Sequence, residues 1–122
     1  MKTILIIEDH HDIARKMAES LTGLGSIVCC TKPKKVFSQM PSLDEVKKMI
    51  AEADIVLLDG DLGSTPYKGK DLLSLCEGKK VIGISTHFSF GEVNYRMKNY
   101  LTFGDSPENQ KFRTLVSSQI QE

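Results

Sequence analysis

Three short apolar runs, at residues 3–7, 54–58 and 81–84, constrain this chain more than any other feature of it. They are rich in β-branched residues and show no polar alternation. A strand wetted on one face alternates, whereas a strand covered on both faces does not, so these runs read as strands of a parallel sheet buried between helices. The longest of them, Ile4-Leu5-Ile6-Ile7 and Ile55-Val56-Leu57-Leu58, are far too short to span a bilayer. The N-terminus also lacks the apolar region followed by small residues that marks a signal peptide. The expectation is a cytoplasmic protein. Three cysteines, with Cys29 and Cys30 adjacent and Cys76 far away, make no disulfide framework and fit a reducing compartment. They read as small buried hydrophobes.

Helical patterns separate the strands. Ile13, Met17 and Leu21 recur at four-residue steps with Ala14 and Ala18 beside them, and Gly23 and Gly25 mark an exit, which predicts a first helix at 12–23. Residues 26–31 read as a second strand, and 32–41 as a basic, Pro-bracketed loop. Ser42 with Glu45 is a capping-box pattern before the stripe of Val46, Met49, Ile50 and Ala53, so the second helix is expected at 43–53. A third, short helix carries Leu72, Leu73 and Cys76 and ends near Gly78, after a turn-rich stretch from Gly63 to Gly69. Residues 88–98 are weakly periodic. A last strand is expected at 99–102, followed by Ser106-Pro107 as cap and first helical position of a terminal helix with Phe112, Leu115, Val116 and Ile120 facing inward.

Strands alternating with helices imply right-handed crossovers and an α/β, doubly wound, five-stranded parallel sheet with helices on both faces. A length of 122 residues suits one domain spanning 1–122, with no output domain beside it. Acidic and basic residues balance at 16 each, so no global field draws the chain to nucleic acid or to a membrane surface. Function must come from local groups. In open parallel sheets ligands bind beyond the carboxyl ends of the strands. Here the first run ends in Glu8-Asp9, the second in Asp59-Gly60-Asp61 and the third in Ser85-Thr86-His87, so three strand tips deliver oxygen ligands to one rim. Carboxylates crowded within a few ångströms repel, so either some hold protons or a cation sits among them. An all-oxygen site favours Mg2+.

This pattern resembles, over nearly the whole chain, the receiver domain of bacterial response regulators, which is flavodoxin-like. Ile6-Ile7-Glu8-Asp9 is similar to that family's acidic pair, and Asp54 to Asp59 to the strand that ends in its phosphoacceptor. The resemblance implies Asp59 as phosphoacceptor and a Mg2+ site in which Asp9 and Asp59 bind through carboxylate oxygens, Glu8 through water and Asp61 through its main-chain carbonyl. It implies that Ser85, with Thr86, holds a phosphoryl oxygen, and that Tyr100 is the switch aromatic on the last strand. A histidine kinase or histidine phosphotransfer protein would donate the phosphoryl group, and a downstream protein target would read the result. The chain would catalyse only its own phosphotransfer and dephosphorylation.

The chain departs from the family in several places. Three residues beyond Tyr100 the family has lysine then proline, and this chain has Phe103-Gly104. Phenylalanine neither donates a hydrogen bond nor neutralises charge; Lys98, Lys70 and Lys68 are the cations that could substitute. Gly63 replaces a usual proline, residues 32–45 and 64–68 are enlarged, and the stretch between Ser85 and the last strand is shortened.

Plainer roles exist for the same residues. Asp59 can cap a turn, Asp9 or Asp12 can cap the first helix, Ser85 and Thr86 can be loop hydroxyls and Tyr100 a packed aromatic. His10, His11 and His87 read as solvent-facing rather than as ligands of a transition metal, and the lysines at 32–35 and 47–48 as solvated faces. Two further functions compete with the phosphorylated receiver. One is a degenerate receiver that acts as a constitutive interaction module, which Phe103 favours. The other is an aspartate-based phosphatase, because Asp59-Gly60-Asp61 looks like the aspartate pair of haloacid-dehalogenase-like enzymes.

Overall fold

A computed structural model of the chain describes residues 2–32, 40–59, 62, 67–85, 93–96 and 106–121. The apolar runs form the body of a parallel sheet: β1 (Thr3–Ile7), β3 (Ile55–Asp59) and β4 (Lys80–Ser85), with β2 (Ser26–Cys30) outside β1. Their order is β2-β1-β3-β4, and the segment Val93–Arg96, β5, pairs parallel with the outer edge of β4. β3 is buried throughout and β1 from its second residue on, whereas the outer strand β2 alternates toward solvent, as burial on one side requires.

Side chains along a strand point alternately to opposite faces, and this period of two divides the core. Ile4, Ile6, Ile55 and Leu57 meet Met17 of α1 (His11–Ser20) and Phe112 and Val116 of α4 (Ser106–Gln121). Leu5, Ile7, Val56 and Leu58 meet Val46 and Ile50 of α2 (Leu43–Glu52) and Leu72 of α3 (Gly69–Leu75). Helices therefore cover both faces of an all-parallel α/β sheet, an arrangement compatible with a flavodoxin-like fold. No helix among the described residues is long and apolar enough to cross a membrane. Cys30 and Cys76 are buried and Cys29 half-buried, all three as thiols.

The ends of the elements follow local chemistry. β3 begins one residue later than its apolar run because Asp54 is used as a clasp: its Oδ2 accepts from the Thr3 N–H at 2.7 Å, and its own N–H donates to the Thr3 carbonyl at 2.9 Å. Ser42 caps α2 as expected, its Oγ accepting from the Glu45 N–H at 3.2 Å, and the hydroxyl in turn donates to Glu45 Oε1. α1 stops at Ser20, three residues short of the expected end, and the chain turns through Gly23, whose φ of +89° favours glycine. Gly25 then runs against the main chain before β1, where a Cβ would stand 2.5 Å from the Lys2 carbonyl oxygen.

One strand lies where none was expected. Residues 88–98, read as weakly periodic, contain β5, and the expected strand at 99–102 lies outside the described residues. Residues 86–92, between β4 and β5, lie outside the described residues. The expected loop at 32–41 is described only at its ends.

Candidate metal and phosphoacceptor site

Because β1 and β3 are adjacent and parallel, their carboxyl ends reach the same edge of the sheet. Ile7 pairs with Leu58, so one step further along the two chains stand Glu8 and Asp59. Both are buried, Glu8 with 1% of its surface exposed and Asp59 with 7%. The next strand pairs Ile84 with Asp59, which brings the main chain of Ser85 to the same rim. The meeting of Glu8 and Asp59 is therefore a property of the sheet order, and Asp9 follows Glu8 in the chain. Asp61, Thr86, Tyr100, His87 and Phe103 lie outside the described residues, as does the side chain of Ser85. Lys68 and Lys70 are exposed at the start of α3.

Glu8 leaves β1 with its N–H donating to the Cys30 carbonyl at 3.1 Å, and its Oε1 accepts from the His10 N–H at 3.2 Å. Two bonds thus hold the residue in place. Its other oxygen, Oε2, is buried and has no hydrogen-bond partner, and the same is true of Asp9 Oδ1. Burial pushes the Glu8 carboxyl up to about 10; the negative charge of Asp59 and the close approach of the Asp9 and Asp59 carboxyls add to this, against the opposing effect of the His10 N–H. A carboxyl so placed is stable only when a proton or a cation balances it. The two orphaned oxygens are acceptors without donors, which is what a cation would satisfy.

Capping does not account for the acidic pair. The N-cap of α1 is His10, in extended conformation and with no side-chain cap bond, while Asp12 sits in the first turn. Asp9 instead directs Oδ2 toward His10 Nε2 at 3.9 Å. The expectation that His10 faces solvent holds, since 68% of its side chain is exposed, yet its imidazole also belongs to the cluster. Ligand atoms of Glu8, Asp9 and His10 all lie within 4.8 Å of one another. The sequence carried one signal for this: the three residues are consecutive in the tight passage from strand to helix.

No family model matches this chain, and neither does any curated protein or solved structure.

Proposed function

We propose that the chain is a phosphoacceptor receiver of a two-component phosphorelay, with a five-stranded, doubly wound receiver-type sheet and Mg2+-dependent phosphorylation on Asp59. The observation that supports it is the meeting of Glu8 and Asp59 at the ends of two central strands, with Asp9 beside Glu8 and two buried carboxylate oxygens lacking donors. The donor set fits a hard dication. Asp9 and Asp59 would hold Mg2+ directly, Glu8 through water and Asp61 through its main-chain carbonyl. Bound there, the ion supplies neutralisation of the phosphoryl oxygens.

The chain's own residues do the rest. An Asp59 oxygen attacks phosphorus in line, the bond from phosphorus to its nitrogen or oxygen leaving group breaks, and an acyl phosphate remains on Asp59. The donor is a histidine kinase, a histidine phosphotransfer protein or, in vitro, acetyl phosphate. Ser85 and Thr86 at the tip of β4 supply hydroxyls for the new phosphoryl oxygens. Extra charge at this rim then reshapes the surface around β4 and the last strand for a protein target.

The position of β5 alters one part of this reading. With Ile84 paired to Tyr95 and Ser85 to Arg96, the strand's aromatic is Tyr95, five positions before Tyr100. Three residues on from Tyr95 is Lys98, the spacing at which the family carries its phosphoryl-binding lysine. On this spacing the proposed switch pair is Tyr95 and Lys98 in place of Tyr100 and Phe103, with Lys98 as the phosphoryl-binding cation.

Incubation with acetyl phosphate and Mg2+, followed by intact mass measurement, tests the proposal. A single phosphate adduct is expected on the wild type and none on Asp59→Asn. A wild type that takes no phosphate yet still binds a protein partner would leave the constitutive interaction module. Multiple turnover of a phosphate ester, abolished by Asp61→Asn, would instead support the phosphatase.

A further inference from the structure

We infer that His10 makes this site selective for a borderline first-row transition dication over Mg2+, with its imidazole as a ligand beside the carboxylates of Glu8 and Asp9. The inference rests on the cation site proposed above and adds to it a nitrogen donor and a metal preference. Three observations carry it. Glu8 is 99% buried by virtue of its 1% exposure, and its Oε2 has no partner. Asp9 Oδ1 is likewise buried and without one. His10 closes the cluster from the solvent side, within 4.8 Å of the carboxylate ligand atoms, and its imidazole is not used to cap α1.

Oxygen-only sites suit Mg2+, which binds stiffly and keeps several waters. Adding one imidazole changes the preference, because nitrogen donors raise affinity along the order from Mn2+ to Co2+ and Zn2+ far more than for Mg2+. Bonds of about 2.0–2.2 Å to oxygen and nitrogen require donor atoms closer than those here, so the ion draws the ligands inward. Glu8 is fixed by its main-chain bond to Cys30 and by the His10 N–H on its Oε1. The exposed imidazole is the one with room to swing, and Asp9 Oδ2 beside it steers the ring.

Titration of the metal-free full chain with CoCl2 and, separately, MgCl2, followed by calorimetry and by the visible spectrum of Co2+, tests this. One Co2+ per chain is expected, bound more tightly than Mg2+, with weak d–d bands and no intense near-ultraviolet thiolate band. His10→Gln should lower Co2+ affinity by about tenfold or more, a larger loss than it causes for Mg2+. Glu8→Gln should weaken both ions. Equal Co2+ affinity in the wild type and His10→Gln overturns the inference, as does a thiolate band that puts the ion on Cys29. If Mg2+ still binds and Asp59 is still phosphorylated in that case, the receiver reading stands alone; if neither ion binds the wild type, both fall.

Discussion

The main-chain N–H of His10 donates to Oε1 of Glu8 at 3.2 Å, so one oxygen of a buried carboxyl is anchored while the other, Oε2, has no partner. The bond reaches back over two residues from the start of α1 to the end of β1. It fixes a carboxyl next to Asp59 at a point where water is excluded.

A pH dependence follows from that burial. In the metal-free protein the folded carboxyl holds its proton up to about pH 10, whereas an ordinary glutamate releases it near 4.5. The folded state then binds more protons than the unfolded state across this window. The stability linked to Glu8 is complete below about pH 4.5 and declines as pH rises toward 10. In EDTA, urea unfolding should show the wild type losing stability from pH 5 to pH 9, and Glu8→Gln should be flatter and the more stable of the two at pH 9, by at least about 1 kcal/mol. Mg2+ should lessen the wild type's decline and leave the variant's curve nearly unmoved. Parallel curves for the two proteins would show that Glu8 is ionised without cost.

Arg113 carries a separate role in stability. Its Nη1 donates to the Ser20 carbonyl at 3.0 Å and to the Thr22 carbonyl at 2.7 Å. α1 has no basic residue in its own last turn, so α4 supplies the cation that its carbonyl end favours. Arg113→Ala should cost about 1–2 kcal/mol in urea unfolding, and Arg113→Met, which keeps the apolar stem, should lose nearly as much. A Met variant as stable as wild type would assign the effect to packing.

Gly25 is confined by the main chain before β1. A methyl there would stand 2.5 Å from the Lys2 oxygen, which also accepts the Ser26 N–H at 2.9 Å, so neither partner can retreat without loosening the start of β2. Gly25→Ala should destabilise by about 1–3 kcal/mol by thermal or urea melts. Gly78→Ala, with open space around its Cβ but a φ of +81°, serves as the comparison in which only backbone strain acts.

The proposed switch pair is tested with beryllofluoride, which mimics the acyl phosphate. Lys98→Ala should weaken its binding in the presence of Mg2+ by about tenfold or more, the loss expected for one charge-assisted hydrogen bond, while Phe103→Ala should not. Calorimetry or NMR titration measures both. The reverse result would return the last strand to 99–102.

How much could be read from residues alone depended on the range of the interaction. Buried strands were legible because a run such as Ile55-Val56-Leu57-Leu58 can satisfy its apolar faces only between two helical layers, and the acids after it were legible because strand ends in a parallel sheet share one edge. Ser42 and Glu45 announced the start of α2 because capping is settled within one turn. By contrast, β5 has no apolar signature in Val93-Asn94-Tyr95-Arg96; it is a strand because the edge of β4 offers unpaired main-chain groups to it. The end of α1 depends on Arg113, 91 residues from Thr22, and the end of α2 on Lys79, whose Nζ donates to the carbonyls of Ala51 and Ala53 at 2.9 Å. Likewise, the cluster at Glu8, Asp9 and His10 needed the path of the main chain between β1 and α1, which sets where an imidazole hangs. Local patterning determined which residues of the central strands and helices are buried, since that rests on periodicity and solvent. Which distant groups meet was decided by sheet order and helix packing, because only the assembled fold fixes distances between segments far apart in the chain.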